Sequence, residues 1–156
     1  MQVSGSLFAS NQEVSQMKRA VGRSFAAVSR LESPAYALLR LVAGLMFACH
    51  GAQKLFGFFG GKVAAVGSQL WVGALIELIG GILIAVGLFV RPAAFLAAGT
   101  MAVAYIQFHW KLDVAGNRWL PVVNKGELAA LYTFVFLFFF AHGPGAWSLD
   151  RRRGRG

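Results

Sequence analysis

Three side chains stand out as able to do chemistry. His50, Lys54 and Glu77 place an imidazole, an amine and a carboxylate inside stretches that are otherwise apolar. An ionisable group within a bilayer costs at least about 2.5 kcal/mol, so each needs a partner or a task. As a catalytic set, Glu77 would accept or deliver a proton while His50 or Lys54 hydrogen-bonds a substrate oxygen. Arg40, Gln107 and Glu127 are the side chains assigned to hold a bound cofactor beside them. Structural roles stand against each assignment. Glu77 and Lys54 can form a buried ion pair, since buried charges are usually paired. His50 can bridge helices by a hydrogen bond, and Lys54 can snorkel toward lipid headgroups. Glu127 follows Asn124 at the spacing of a capping box. The single cysteine, Cys49, excludes an internal disulfide and any all-cysteine cluster. It reads as a small packing residue. No metal is expected, because His, Cys and acids do not cluster at ligand spacing.

Four apolar stretches position these groups: about 35–59, 70–90, 92–110 and 126–141. A spanning helix needs roughly 20 residues, with about 17 sufficient. The expected fold is therefore all-α, an integral membrane four-helix bundle. Glycines at 73, 80, 81 and 87 share a stripe with Glu77, which turns that carboxylate inward. Ala94, Ala98 and Ala102 mark a close-packing edge on the third span. Gln107 and His109 lie about 200° apart around an ideal helix and are not expected to serve one pocket. A haem held by His50 and His109 would need facing helices at one depth and is disfavoured. The phenylalanines between 134 and 140 read as bulk facing lipid or core. No internal duplication is visible.

Composition agrees with the membrane reading. Hydrophobic residues make up 57% of the 156, charged residues only 13%, and mean hydropathy is +0.60. Soluble domains carry about 25% charge. The net charge of +9 resembles that of a nucleic-acid binder. No basic groove with interleaved aromatics accompanies it, and nucleic acid is not an expected partner. Ten of the 15 lysines and arginines fall in the amino-terminal segment, at Arg40 and Arg91, and in the tail. The positive-inside rule then puts both termini in the cytoplasm. Trp71, Trp110 and Trp119 would form the outer aromatic belt, with Tyr36 and Trp147 the inner one. In that orientation every span brings polar groups toward the outer half, with Glu77 roughly 10 Å below the surface.

Three regions follow. Residues 1–34 form a basic amino-terminal segment without the apolar core of a cleavable signal. Its stripe of Val14, Met17, Val21, Phe25, Val28 and Leu31, interleaved with Lys18, Arg19, Arg23 and Arg30, predicts an amphipathic helix on anionic lipid headgroups. Residues 35–145 hold the four spans, and 146–156 are a basic tail.

The run Arg40-Leu41, Gly44, His50-Gly51 and Lys54-Leu55-Phe56-Gly57, then Glu77, Gly80-Gly81, Gly87-Leu88 and Arg91, then Gly126-Glu127, Gly143-Pro144-Gly145 and Ser148-Leu149-Asp150 resembles the DoxX family. The resemblance covers about residues 34–150. It implies a small four-helix protein of the bacterial inner membrane, with some relatives tied to quinone-linked oxidoreduction, including thiosulfate:quinone oxidoreduction. It marks His50, Lys54, Glu77 and Glu127 as family-pattern positions. The expected function is a subunit of a quinone-linked membrane oxidoreductase, not catalytic alone, with quinone as cofactor and other subunits as partners. The alternative is a non-catalytic accessory or assembly subunit at the periphery of a larger membrane complex. A transporter is less well supported, because one four-helix unit without broken spans is small for alternating access.

Overall fold

The computed structural model describes the backbone of residues 4–154 and the side chains of residues 12–154 other than 24, 25, 27 and 28. Among the described residues there are helices and turns but no strand. The chain divides into two compact units, one ending at Ala35 and the other beginning at Tyr36.

In the first unit α1 spans Ser4–Ser29. It starts ten residues before the apolar stripe does. Val14, Met17 and Val21 of that stripe are exposed, Phe25 and Val28 lie outside the described side chains, and Leu31 sits in the turn after the helix. α2 (Glu32–Phe56) begins earlier than the apolar run alone suggests. Pro34 lies in its first turn, where a missing N–H breaks no intrahelical bond.

The second unit is built from the rest of α2 with α3 (Gln69–Val86), α4 (Val90–Ala104) and α6 (Glu127–His142). A short α5 (Pro121–Asn124) precedes α6, and α7 (Leu149–Arg152) closes the chain. Two sequence signals end the elements. Gly57 and Gly87 stop α2 and α3 at φ of 72° and 75°, in the left-handed region that glycine enters without cost. Ser68 starts α3, its Oγ accepting from the Trp71 amide at 3.2 Å.

α2 and α3 run antiparallel at backbone contact. A Cβ on Gly44 would lie 2.6 Å from the Ala85 nitrogen, and one on Gly81 would lie 2.5 Å from that of Ala48. The glycine stripe of α3 therefore divides. Gly81 faces α2, while the nearest atoms to Gly73 and Gly80 on another helix are Thr100 and Ala93 of α4. α4 packs along α6 and against α3 through Ala93, Ala94, Ala97, Ala98 and Met101. Ala102 is only partly buried: steps of four overshoot a 3.6-residue turn, so the packed edge drifts onto Ala97 and Met101. Phe47, Ile84, Val90, Phe136 and Phe139 fill the centre. The outside is as apolar as the inside, with Leu38, Leu45, Ile79, Leu131 and Phe134 all exposed. α2 and α3 are long and apolar enough to cross a membrane, and α6 is a shorter apolar helix of 16 residues.

The third stretch changes its winding. After Ala104 the helix widens into a π-turn over Tyr105–Trp110 and stops at Lys111, φ 56°. π-turns shift every later side chain around the axis, so angular counts based on 100° per residue fail beyond Ala104.

Candidate functional site

The α2–α3 register creates the central contact. It pairs Gly44 with Ala85, Ala48 with Gly81 and Gly51 with Leu78. One turn further along α2, Lys54 comes level with the Ala74–Glu77 turn of α3. Its Nζ donates to Glu77 Oε1 at 2.5 Å. The Glu77 side chain is 3% exposed and that of Lys54 31%, so the carboxylate is buried while the ammonium reaches toward the surface. Glu77 Oε2 is buried with no partner among the described residues.

This pair lines a cleft of about 840 Å³. His50, one turn before Lys54, lines the same space, as do Thr100 of α4, His109 of the π-turn, Lys125 before α6 and Tyr132 of α6. Phe47, Ile76, Met101 and Ala129 supply apolar wall. Leu70, Phe95, Leu96, Val103 and Phe108 also line it and are themselves exposed, so the cleft opens through an apolar flank of α3 and α4. The volume and lining suit an amphiphile of ordinary ligand size. His109 Nδ1 lies 3.3 Å from the Asn124 carbonyl. A carbonyl only accepts, so a hydrogen bond there places a hydrogen on Nδ1. Gln69 Nε2 donates to Gln107 Oε1 at 2.8 Å, tying the start of α3 to the π-turn.

The structure thus gathers His50, Lys54 and Glu77 but separates the other three assigned side chains. Gln107 does not line the cleft and acts through Gln69. Glu127 is exposed and also outside the lining. Nor does Asn124 cap α6 across a capping box: its Oδ1 accepts from Gly126 at 2.8 Å, forming a tighter local turn. Glu127 stands in the first turn of α6, where a negative charge suits the helix dipole. Arg40 lies at the other end of the bundle. It is 1% exposed and donates to the Ile84 carbonyl at 2.9 Å and the Trp147 carbonyl at 3.0 Å. Ile84 is seven residues beyond Glu77 on α3, about 10 Å along the axis.

That second end is a clamp. Asp150 Oδ2 accepts from the Val90 amide at 3.1 Å, and the Asp150 amide donates to the Gly87 carbonyl at 2.9 Å. A Cβ on Gly87 would meet Arg40 Nη1 at 2.1 Å, so only glycine leaves room for the guanidinium. Arg91 donates to the last carbonyls of α6, Phe140 and Ala141. Tyr36, expected in an interfacial belt, is buried: its hydroxyl donates to the Gly143 carbonyl and its ring stacks on His142 with centroids 3.9 Å apart. The tail is correspondingly more than a basic extension, because Ser148 and Asp150 are buried.

Sequence reasoning passed over Gln69, Thr100, Lys125 and Tyr132 as cleft residues. None is unusual in type, and only the packing of α4 and α6 against α3 brings them together.

The fold and cleft define a small all-α protein with an apolar exterior and, at one end, a mostly apolar cleft holding a few polar side chains. The DoxX family profile matches residues 35–110. An uncharacterized protein of Haemophilus influenzae is 42% identical over 120 residues, covering 74% of this chain and 88% of that protein. The Bacillus subtilis protein named "Putative oxidoreductase CatD" is 36% identical over 114 residues, covering 64% and 85%. "Inner membrane protein YphA" of Escherichia coli is 29% identical over 126 residues, covering 74% and 87%. No solved structure matches the chain. The chain belongs to the DoxX family.

Proposed function

We propose that this protein spans the bacterial inner membrane four times, with both termini cytoplasmic, as a subunit of a quinone-linked oxidoreductase. The apolar exterior and the apolar lengths of α2 and α3 support membrane residence. The names of the E. coli and B. subtilis relatives support the inner membrane and oxidoreduction. Arg91 and the Ser148–Asp150 segment meet the bundle at the clamp end, and Lys62, Lys111, Arg118 and Lys125 belong to the connections at the cleft end. The positive-inside bias therefore favours the clamp end as cytoplasmic. The cleft then lies in the outer half.

One observation carries the redox reading: a buried carboxylate oxygen, Glu77 Oε2, without a partner among the described residues, in a mostly apolar cleft. A quinone, when bound, would supply two-electron, two-proton chemistry at its ring oxygens. The chain's own groups would orient the ring and take up a proton at Glu77 Oε2. Lys54 keeps the carboxylate in place, and His50 is the nearest ring-bearing base along α2. Phe47, Met101 and Tyr132 would exclude water from this end. In the complex purified from native membranes, Glu77→Gln should abolish quinone-dependent turnover while subunit composition stays intact. Unchanged turnover would overturn the reading.

The accessory role draws on a different observation, the separate unit containing α1 with its exposed Val14, Met17 and Val21. That surface suits anionic lipid or a neighbouring subunit. Here, deleting residues 1–33 should weaken association with the complex, while Glu77→Gln should act only through stability.

A further inference from the structure

The hydrogen-bonding groups around the cleft are unevenly spent. Thr100 donates to the Leu96 carbonyl at 2.9 Å, Gln69 to Gln107, and Lys54 to Glu77. His109 sets its Nδ1 toward the Asn124 carbonyl at 3.3 Å. Four buried side-chain atoms lack a partner among the described residues, and of these only Glu77 Oε2 belongs to a residue lining the cleft. The carboxylate of an ammonium–carboxylate pair has no hydrogen to give. An acceptor left bare in an apolar setting is costly, and a ligand that brings a donor relieves it.

Building on the quinone reading above, we infer that the cleft selects the reduced, hydroxyl-bearing form: a quinol whose O–H donates to Glu77 Oε2, with its apolar chain leaving between α3 and α4. An oxidised quinone presents carbonyl oxygens only. Turned to Oε2 it would set acceptor facing acceptor, and if its carbonyls turned instead to Lys54, Lys125 or Tyr132 they would leave Oε2 bare. The exposed apolar side chains at the mouth, Leu96 and Phe108 among them, give the chain a route into lipid.

A redox-inert pair of probes tests this on the full-length protein in nanodiscs. 4-Decylphenol has the donor, and 4-decylanisole is the same molecule with the hydrogen replaced by methyl. Binding read by tryptophan quenching should favour the phenol by about tenfold or more. The preference should vanish in a Lys54→Met/Glu77→Met double variant whose helicity by circular dichroism matches wild type. The comparison on wild type alone already decides, should that variant fail to fold. Equal or tighter binding of the anisole would overturn the inference and leave the quinone reading standing. Binding of neither probe would overturn both. Dioctanoylglycerol, a lipid with a free hydroxyl, is the third arm: if it displaces the phenol at equal concentration, the occupant is a lipid hydroxyl and the quinol assignment fails.

Discussion

Gly51 of α2 stands against Leu78 of α3 so closely that a Cβ would lie 2.4 Å from the Leu78 backbone nitrogen. Neither backbone can yield without parting the two helices, and this contact sets the level at which Lys54 meets Glu77. Gly51→Val should therefore cost stability at or above the upper end of about 1–3 kcal/mol for overpacking. It should also weaken the Lys54–Glu77 pair. A detergent thermal melt would register the first effect. Gly22, whose added Cβ meets nothing within 4 Å, is the control, and Gly22→Ala should not lower the melt.

The ion pair itself makes a second prediction. Lys54→Met removes the only hydrogen bond described for the buried Glu77 carboxylate. The expected loss is about 3 kcal/mol, the low end for a broken buried pair, because Lys54 is partly exposed. Combining it with Glu77→Met should recover most of that loss. A double-mutant cycle by thermal or chemical denaturation measures the coupling. Additive losses would show that the pair contributes nothing as a pair.

Much of this arrangement is visible in the sequence, and the reasons are local. Apolar runs that start after Pro34 or at Pro92 and stop before Gly143 locate the helices to within a few residues, though the first two runs overshoot the stops at Gly57 and Gly87, and glycines on one stripe turn Glu77 inward. Two features are not visible. The π-turn after Ala104 has no composition signal, and it sends His109 to the cleft while Gln107 goes to Gln69. The clamp depends on Asp150 and Arg40, more than a hundred residues apart. Nothing near Asp150 shows that a carboxylate beside four arginines is buried. The same gap hid the burial of Tyr36.

The clamp predicts that the tail contributes to stability in two unequal parts. Asp150→Ala leaves the Val90 amide without its acceptor and should cost about 1–3 kcal/mol. Asp150→Asn retains an acceptor oxygen and should cost less. Truncation after Trp147 should lower the melting temperature at least as much as Asp150→Ala does, whereas truncation after Arg153 should not. Equal melts for the two truncations would argue that Ser148 and Asp150 hold nothing in place.

A pH effect is expected in the loop between the third and fourth apolar helices. Asp113 accepts from the Ala115 amide at 2.9 Å and from Arg118 at 2.6 Å. The backbone N–H first, and the guanidinium second, hold its carboxyl below the usual carboxylate value. A depressed folded value means the contribution is present above the unfolded carboxylate's titration, near about pH 4. It is lost as pH falls through the lower folded value. Amide hydrogen exchange at Ala115 should thus stay protected down to about pH 4 and be released below it. Asp113→Asn should flatten that dependence. Because both side chains are open to solvent, 36% exposed for Asp113 and 65% for Arg118, added salt should weaken the Arg118 part.

The two ends of the bundle are fastened unequally. At one end Arg40, Tyr36, Arg91 and Asp150 bind side chains to the backbone of other elements, so α2, α3, α4, α6 and the tail are held together. At the other, Lys54–Glu77 holds α2 to α3 and Tyr105 and His109 hold the π-turn to the segment before α6, while among the described side chains only the Gln69–Gln107 pair joins those two halves. The molecule is built like tweezers, with a fixed heel and free tips. Any widening that admits a bulky guest must pivot at the heel, so a substitution at Arg40, far from the cleft, should alter how fast the guest enters and leaves.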